Sequence, residues 1–479
     1  MVLISKKVQE NKEKTTMLFN NSSDLVLFEF RTLSDIRILV AYIDGLIDKN
    51  SLNEYIIKPL IQNLTHPQDI RSTVFISEVK EVSNIEELIS PMTEGYVAVF
   101  IGGLEVCFLY NTSHRDRRTV EQPDSEQVVK GPKEGFIEDI SVNKALIRRK
   151  IKNNNLIFED YTLGIQTNTK ISLVYINGIV KQPILEEVRR RIKKIQIDGV
   201  LDVGYIEEHI EDSPKSLIST IGYTEKPDVA VAKILEGRIG ILCDGTPNVL
   251  TVPKLFIENL QTAEDYYVKP QYATFLRVIR ITSLFISIFL IGTFIALQSF
   301  HQEMIPTKLL VSMAGQREGV PFTSFLEALL MIIFFELIKE SGLRLPKNIG
   351  SAVSVVSALI LGQSAVDAGI VSPIMIIIVA ISGICEFIVP SLREIISIYR
   401  LISLFLGTLF GLYGIACGIT ILVVHFASLR SFGVPYLYPI APYDKKGMKD
   451  FIIRFPMDKL DLRPRNISYK KARKRNERV

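Results

Sequence analysis

The chain lacks most of what marks an enzyme. No G-x-G-x-x-G or Walker-type loop follows a strand, so nothing in its 479 residues is patterned to cradle a nucleotide phosphate. No H-E-x-x-H occurs, and no paired aspartates sit in the apolar segments as an intramembrane aspartyl protease requires. Cysteine is scarce: Cys107, Cys243, Cys385 and Cys417 are widely separated, which excludes a disulfide framework and a zinc site by spacing. Net charge is also low, at +4, and no Lys/Arg stripe with interleaved aromatics appears, which argues against nucleic acid as a partner. The first 24 residues are polar and lysine-bearing rather than an apolar signal, so the first half is expected in the cytoplasm. Neither a cofactor nor a metal is expected, and no enzymatic activity.

What is present is uneven. Residues before about 270 are rich in charge, whereas residues 275–429 hold nearly all the long apolar runs. The expected fold is therefore an α+β cytoplasmic region of two related subdomains followed by an all-α polytopic membrane domain. A polar arm covers 1–23. Strand patterns at Leu25–Arg31, Ile36–Ile43, Tyr96–Ile101 and Glu105–Tyr110, with helical spacing over Ser51–Leu64 and Ile85–Met92, make a first subdomain over 24–112. A charged stretch with a helix starting near Glu138 fills 113–150.

The second subdomain, 151–270, echoes the first. Residues 174–180, VYINGIV, repeat 41–47, AYIDGLI, and residues 237–245 repeat 95–103, each pair keeping order and spacing. Asp-Gly and Asn-Gly at these places suit tight turns at positive φ rather than phosphate binding. His114, amid exposed charges, is expected to be inert.

The membrane domain, 271–430, has apolar segments at 281–300, 322–338, 349–371, 372–390 and 395–429. Lys269, Arg277 and Arg280 precede the first, so it runs outward, and Lys339, Arg344, Arg393 and Arg400 mark later cytoplasmic ends. Ile305–Met313 reads as a short helix lying in the interface. The 35-residue final run is too long for one simple crossing and either tilts or bends into two; its parity stays open. Gly407, Gly411, Gly414 and Gly418 form a helix-packing stripe within it. The remaining 431–479 form a basic tail, which favours a cytoplasmic C-terminus.

One stretch stands apart. Residues 348–371, NIGSAVSVVSALILGQSAVDAGIV, are long enough to cross a bilayer yet keep hydroxyls, an amide and an acid. Lipid cannot satisfy such groups, so this helix faces something else. At 100° per residue Gly350, Ser354, Ser357, Leu361 and Ser364 share one narrow sector, with Gln363 and Asp367 on the flank. That face suits close helix packing or a water-lined path constricted at Leu361. Glu327, Glu336 and Glu386 are further acidic candidates within the apolar segments, the first two on opposite helix faces.

The chain resembles the A subunits of GerA-type spore germination receptors over nearly its whole length. The specific pieces are EQPDSEQVVKGPKEGFIEDISVNKALIRR at 121–149, ISLVYINGIV at 171–180, EMIPTKLLVSMAGQREGVPF at 303–322, LPKNIGSAVSVVSALILGQSAVDAGIVSP at 345–373 and ASLRSFGVPYLYPIAP at 427–442. The resemblance implies a multi-pass subunit of the inner spore membrane, working with a transporter-like B subunit that binds nutrient and a lipoprotein C subunit. It implies a ring, expected to be a pentamer, forming a nutrient-gated channel for monovalent cations, with the polar stretch as pore helix. Asp367 stands where a neutral side chain is expected, which bears on ion selectivity. The alternative is a non-conducting scaffold or signal relay for the transporter-like partner.

Overall fold

In the computed structural model, which describes residues 2–113, 123, 126, 128–344 and 362–469, the polar half folds around two five-stranded antiparallel sheets. The first holds β1 (Leu25–Arg31), β2 (Arg37–Ile43), β3 (Val79–Val82), β4 (Tyr96–Ile101) and β5 (Cys107–Asn111), in the order β1-β2-β4-β5-β3. The second holds β6 (Leu156–Leu163), β7 (Thr169–Ile176), β8 (Gly222–Thr224), β9 (Ile239–Cys243) and β10 (Val249–Val252), ordered β6-β7-β9-β10-β8. Central strands are covered on both faces, which is why they read as unbroken apolar runs. In β2, Leu39, Ala41 and Ile43 face one core, shared with helix α1 (Val8–Leu18), while Ile38 and Val40 face the other.

The echoed segments occupy equivalent places down to single pairs. Ala41 opposes Ala98, and Val174 opposes Gly240; Val40 opposes Val99, and Leu173 opposes Ile241. Gly95 and Gly237 both take left-handed backbone, at φ 98° and 100°, where a Cβ would also press on Leu46 and Ser113 in the first module and on Ile179 and Ser468 in the second. One equivalence crosses the whole chain. In the first module Ile47 bridges Ser113, just past β5; in the second, the matching Val180 bridges Ser468, near the C-terminus. The chain leaves β10 for the bundle, and the returning tail fills the place that Ser113 fills in the first module. Tyr469 N donating to Ile179 O at 2.8 Å and Arg463 Nε donating to Leu235 O at 2.7 Å fasten it.

The modules are joined by a buried ion pair. Arg148, on α2 (Ile140–Lys150), donates from Nε and Nη2 to both oxygens of Asp24 at 2.9 Å each. Asp139 caps α2 by accepting from Ser141 N at 2.7 Å. The second module adds α3 (Gln182–Lys194), α4 (Val203–Ile210) and α5 (Pro227–Leu235).

The remaining helices form a bundle standing on the second module: α6 (Pro270–Phe300), α7 (Thr307–Arg317), α8 (Ser324–Arg344), α9 (Pro373–Phe387) and α10 (Arg393–Ser428). The interfacial segment expected at Ile305–Met313 is α7, shifted two residues later at its start and four at its end. Ile291, Ile295, Ala328, Ile332, Val379 and Leu404 bring α6, α8, α9 and α10 to a common core. Two helices, at 270–300 and within 390–428, are long and apolar enough to cross a membrane.

The final run is bent into two. At Gly411 the backbone takes φ 61°, ψ −147°, and the chain doubles back. A Cβ on Gly418 would lie 2.8 Å from Leu406 Cδ1, a contact that no continuous helix could make between residues 12 apart. The glycines are therefore not one stripe. Gly407 meets Gly292 of α6 backbone to backbone, Gly411 forms the bend beside Phe300 and His301, and Gly414 and Gly418 pack back on the first arm.

Candidate functional site

Helix directions follow from paired residues. Arg277 and Arg280 hold the start of α6 against the second module, donating to Asp265 at 3.0 and 2.9 Å. Arg277 also donates to Asp450 Oδ1 at 3.0 Å and Phe451 O at 2.9 Å, so helix start, module and tail share one buried clasp. Call this the near end of the bundle. At the far end Ser324 Oγ donates to Gln298 Oε1 at 3.0 Å, and Ser372 donates from N and Oγ to Glu327 at 2.9 and 2.7 Å. Hence α6 runs outward, α8 returns, and α9 starts at the far end and returns. The first arm of α10 runs outward beside α6, and the second comes back, its His425 Nε2 lying 3.2 Å from Ser216 Oγ of the second module.

Of the three acidic candidates, two meet. Glu336 and Glu386 converge near the inner end of α8 with Lys339, Ser397 and Arg400. Arg400, 1 % exposed, donates to Glu386 Oε2 at 2.5 Å and to Ser287 O at 3.1 Å, and stands 3.5 Å from Glu336 Oε1. Lys339 Nζ donates to Glu386 Oε1 at 2.8 Å, pairs with Glu336, and donates to Ser397 Oγ at 3.0 Å. Ser397 Oγ donates in turn to Glu336 Oε1 at 2.8 Å. Arg393 adds a longer contact to Glu386, 3.7 Å. Both carboxylates are thus satisfied, and α8, α9 and α10 are tied by paired charge.

Glu327 lies apart at the far end, fully buried, with Arg317 of α7 3.2 Å away. Nine residues along α8 separate Glu327 from Glu336, so each finds its partners at a different level of the bundle.

The polar stretch is described only from residue 362. Gly350, Ser354, Ser357 and Leu361 lie outside the described residues. Gln363, Ser364 and Asp367 are all exposed, and Gln363 Nε2 donates to Asp367 Oδ1 at 3.0 Å. Ala365 is buried, so this helical turn leans on the bundle by its apolar side and leaves its polar side uncovered. Arg344, at the inner end of α8, and Ser372, at the far end, mark the two levels that the intervening chain connects.

Two groups that sequence reasoning missed are Arg400 and Arg148. Both had the signature of ordinary interfacial or solvated arginines; their partners are distant in sequence. A third cluster joins the second module to the tail. Glu258 pairs with Arg238 and, at 3.2 Å, with Lys233, while Lys254 lies buried beside them with its N–H donating to Ser431 Oγ at 3.0 Å. Burial opposes ionisation of Glu258, but Arg238 and Lys233 outweigh it and hold its carboxyl down to about 2. Burial pulls the Lys254 ammonium down to about 8, against the partial support of Glu258. Among the described residues no group of three or more His, Cys, Asp or Glu could hold a metal ion.

Against known proteins, a family model described as Bacillus/Clostridium GerA spore germination protein matches residues 13–466. Spore germination protein KA of Bacillus subtilis (strain 168) is 41 % identical over 477 residues, covering 98 % of this chain and 88 % of that protein. The uncharacterized membrane protein YfkQ of the same organism is 37 % identical over 468 residues, covering 96 % and 91 %. Among solved structures, the N-terminal domain of the A subunit of the Bacillus megaterium spore germinant receptor GerK3 aligns with 53 % of this chain and 97 % of that one, at 28 % identity and a TM-score of 0.41.

Proposed function

The chain belongs to the GerA family of spore germination proteins, and on that premise we propose that it is the A-type subunit of a nutrient receptor and forms a gated cation channel. In this reading the bundle crosses the inner spore membrane six times, with both the modules and the tail on the cytoplasmic side. Support comes from the helix directions: α6, α8, α9 and the two arms of α10 alternate between the same two levels, and the polar stretch would supply the sixth passage. From residue 281 to Phe300, α6 spans about 30 Å, the thickness of a hydrocarbon core.

The observation that carries conduction is the uncovered polar side at Gln363, Ser364 and Asp367. In lipid Gln363 and Asp367 would have only each other, and the Asp367 charge would stay unsolvated, so a lumen shared by several copies suits them better than an outer surface. Copies related by a ring axis, five on the family's pattern, would bring Ser354, Ser357, Leu361 and Ser364 to that axis. Leu361 would then close the path by dewetting, and Asp367 would gather cations at the outer mouth. Nutrient bound to the transporter-like B subunit would shift closed toward open, with the lipoprotein C subunit completing the complex.

The ion network fits such a shift. Helix α8 leads directly into the polar stretch, and Arg400 stands between two carboxylates, so a small displacement of α8 exchanges one discrete pairing for another. Replacing Leu361 by Ser should raise cation flux without nutrient by about tenfold, a bias of about 1.4 kcal/mol toward the open form. The measurement is ion efflux from liposomes holding the assembled receptor. An unaltered closed state would remove this helix as gate, and absence of flux from any A-subunit assembly would favour a scaffold role.

A further inference from the structure

A trough of about 370 Å³ opens beside α10, where its two arms, α6 and the second module meet. Lys215, Phe289, Tyr399, Leu406, Gly418 and His425 mark its outline. Tyr399 and His425 stand at the module end, Leu406 and Gly418 at the deep end. Seven residues separate the members of each arm, so the trough runs about 10 Å along the helix axes. Its walls are apolar except for Ser403, whose buried hydroxyl has no hydrogen-bond partner among the described residues.

The mouth is different in kind. Lys215 is exposed and has no ion-pair partner among the described residues, and Ser216 and His425 stand beside it. Asp212, three residues before Lys215, is taken up by Arg191, while Glu207 and Glu211 accept from Ser219 Oγ and Thr220 N of their own module. A cation with no ion-pair partner among the described residues thus stands at the mouth of an apolar channel whose outer rim, at Ile402 and Ile421, opens on the exposed apolar side of the bundle.

We infer that this trough holds an acyl chain of an anionic phospholipid, with the headgroup phosphate against Lys215. A neutral lipid has the tail for the trough but no net charge for its mouth, whereas an anionic one matches both. The bound lipid would brace the hairpin of α10 against the second module. The inference rests on the bundle being membrane-embedded, but not on its conducting ions.

The chain contains no tryptophan, so Ile421→Trp introduces a single fluorophore at the rim, and Ile333→Trp on α8 serves as a remote control. Full-length protein in neutral detergent is titrated with brominated phosphatidylglycerol or brominated phosphatidylcholine, and quenching is followed. At position 421 half-quenching by phosphatidylglycerol is expected at about tenfold lower concentration, and Lys215→Glu should erase that preference. At position 333 the two lipids should quench alike. Equal quenching by both lipids at 421, or no effect of Lys215→Glu, would overturn the site while leaving the membrane assignment standing. Quenching at neither position would overturn both. Emission at 421 that follows protein concentration rather than lipid would mean that a second copy covers the trough, and would likewise overturn the proposal.

Discussion

Arg400 shows how a charge survives inside an apolar bundle: Glu386 meets its guanidinium at one edge, Glu336 approaches the other, and the Ser287 carbonyl accepts from Nε. Removing Glu386 leaves Arg400 buried with only the longer contact to Glu336, a loss that outweighs the value of the pair itself. Glu386→Gln should therefore cost about 3 kcal/mol, read as a lowered denaturation midpoint, and adding Arg400→Gln should restore part of the loss. Lys254 gives a pH signature. Its folded pKa, about 8, lies below the ordinary 10.5, so the unfolded chain binds the extra proton between those values and stability rises with pH across that window. Thermal unfolding followed from pH 7.5 to 10 should show that rise, and Lys254→Met should flatten it. Glu336 and Glu386 were visible in the sequence because a carboxylate in an apolar run is conspicuous. Arg400 and Lys339 were not, since a cation near a helix end also satisfies the positive-inside pattern without being buried.

Among elements, α10 is the most constrained. A side chain at residue 407 would lie 2.3 Å from the Gly292 carbonyl, and relief requires moving backbone rather than a side-chain tip. Gly407→Leu should accordingly separate α6 from α10 and destabilise the bundle by about 2 kcal/mol or more, measurable as loss of protease resistance in detergent. Gly411→Ala should cost about 1–3 kcal/mol, because a backbone at φ 61°, ψ −147° is open essentially to glycine alone. Strand positions were legible because their turns and apolar runs are local. The bend at Gly411 was not, because a long helix and a hairpin present the same apolar run, and only the meeting of Leu406 with Gly418 distinguishes them. The polar stretch was legible by composition, while its surroundings depend on where other helices lie.

At the scale of the whole molecule, the duplication could be read from two short echoes, because each echo marks a turn whose glycine has to stay glycine. The tail could not be read. Its basic composition indicated a side of the membrane, whereas its role lies in Ser468, Tyr436 and Asp450, ordinary residues whose partners are 170 or more positions away. Removing residues 431–469 should expose the second module's amides to hydrogen exchange while the first module keeps its protection. If both modules lost protection equally, the tail would be a general brace rather than the missing piece of one sheet. Asp450→Ala should give a weaker version confined to the start of α6.

Because Ser468 occupies in the second module the place that Ser113 occupies in the first, the two modules mature at different times. The first holds all its own pieces once about a quarter of the chain has been made. The second waits for Ser468, after the bundle helices from Pro270 to Ser428 have been synthesised. Closure of that module thus reports that the bundle between has been completed, and a chain broken off early carries an open module that proteases can recognise.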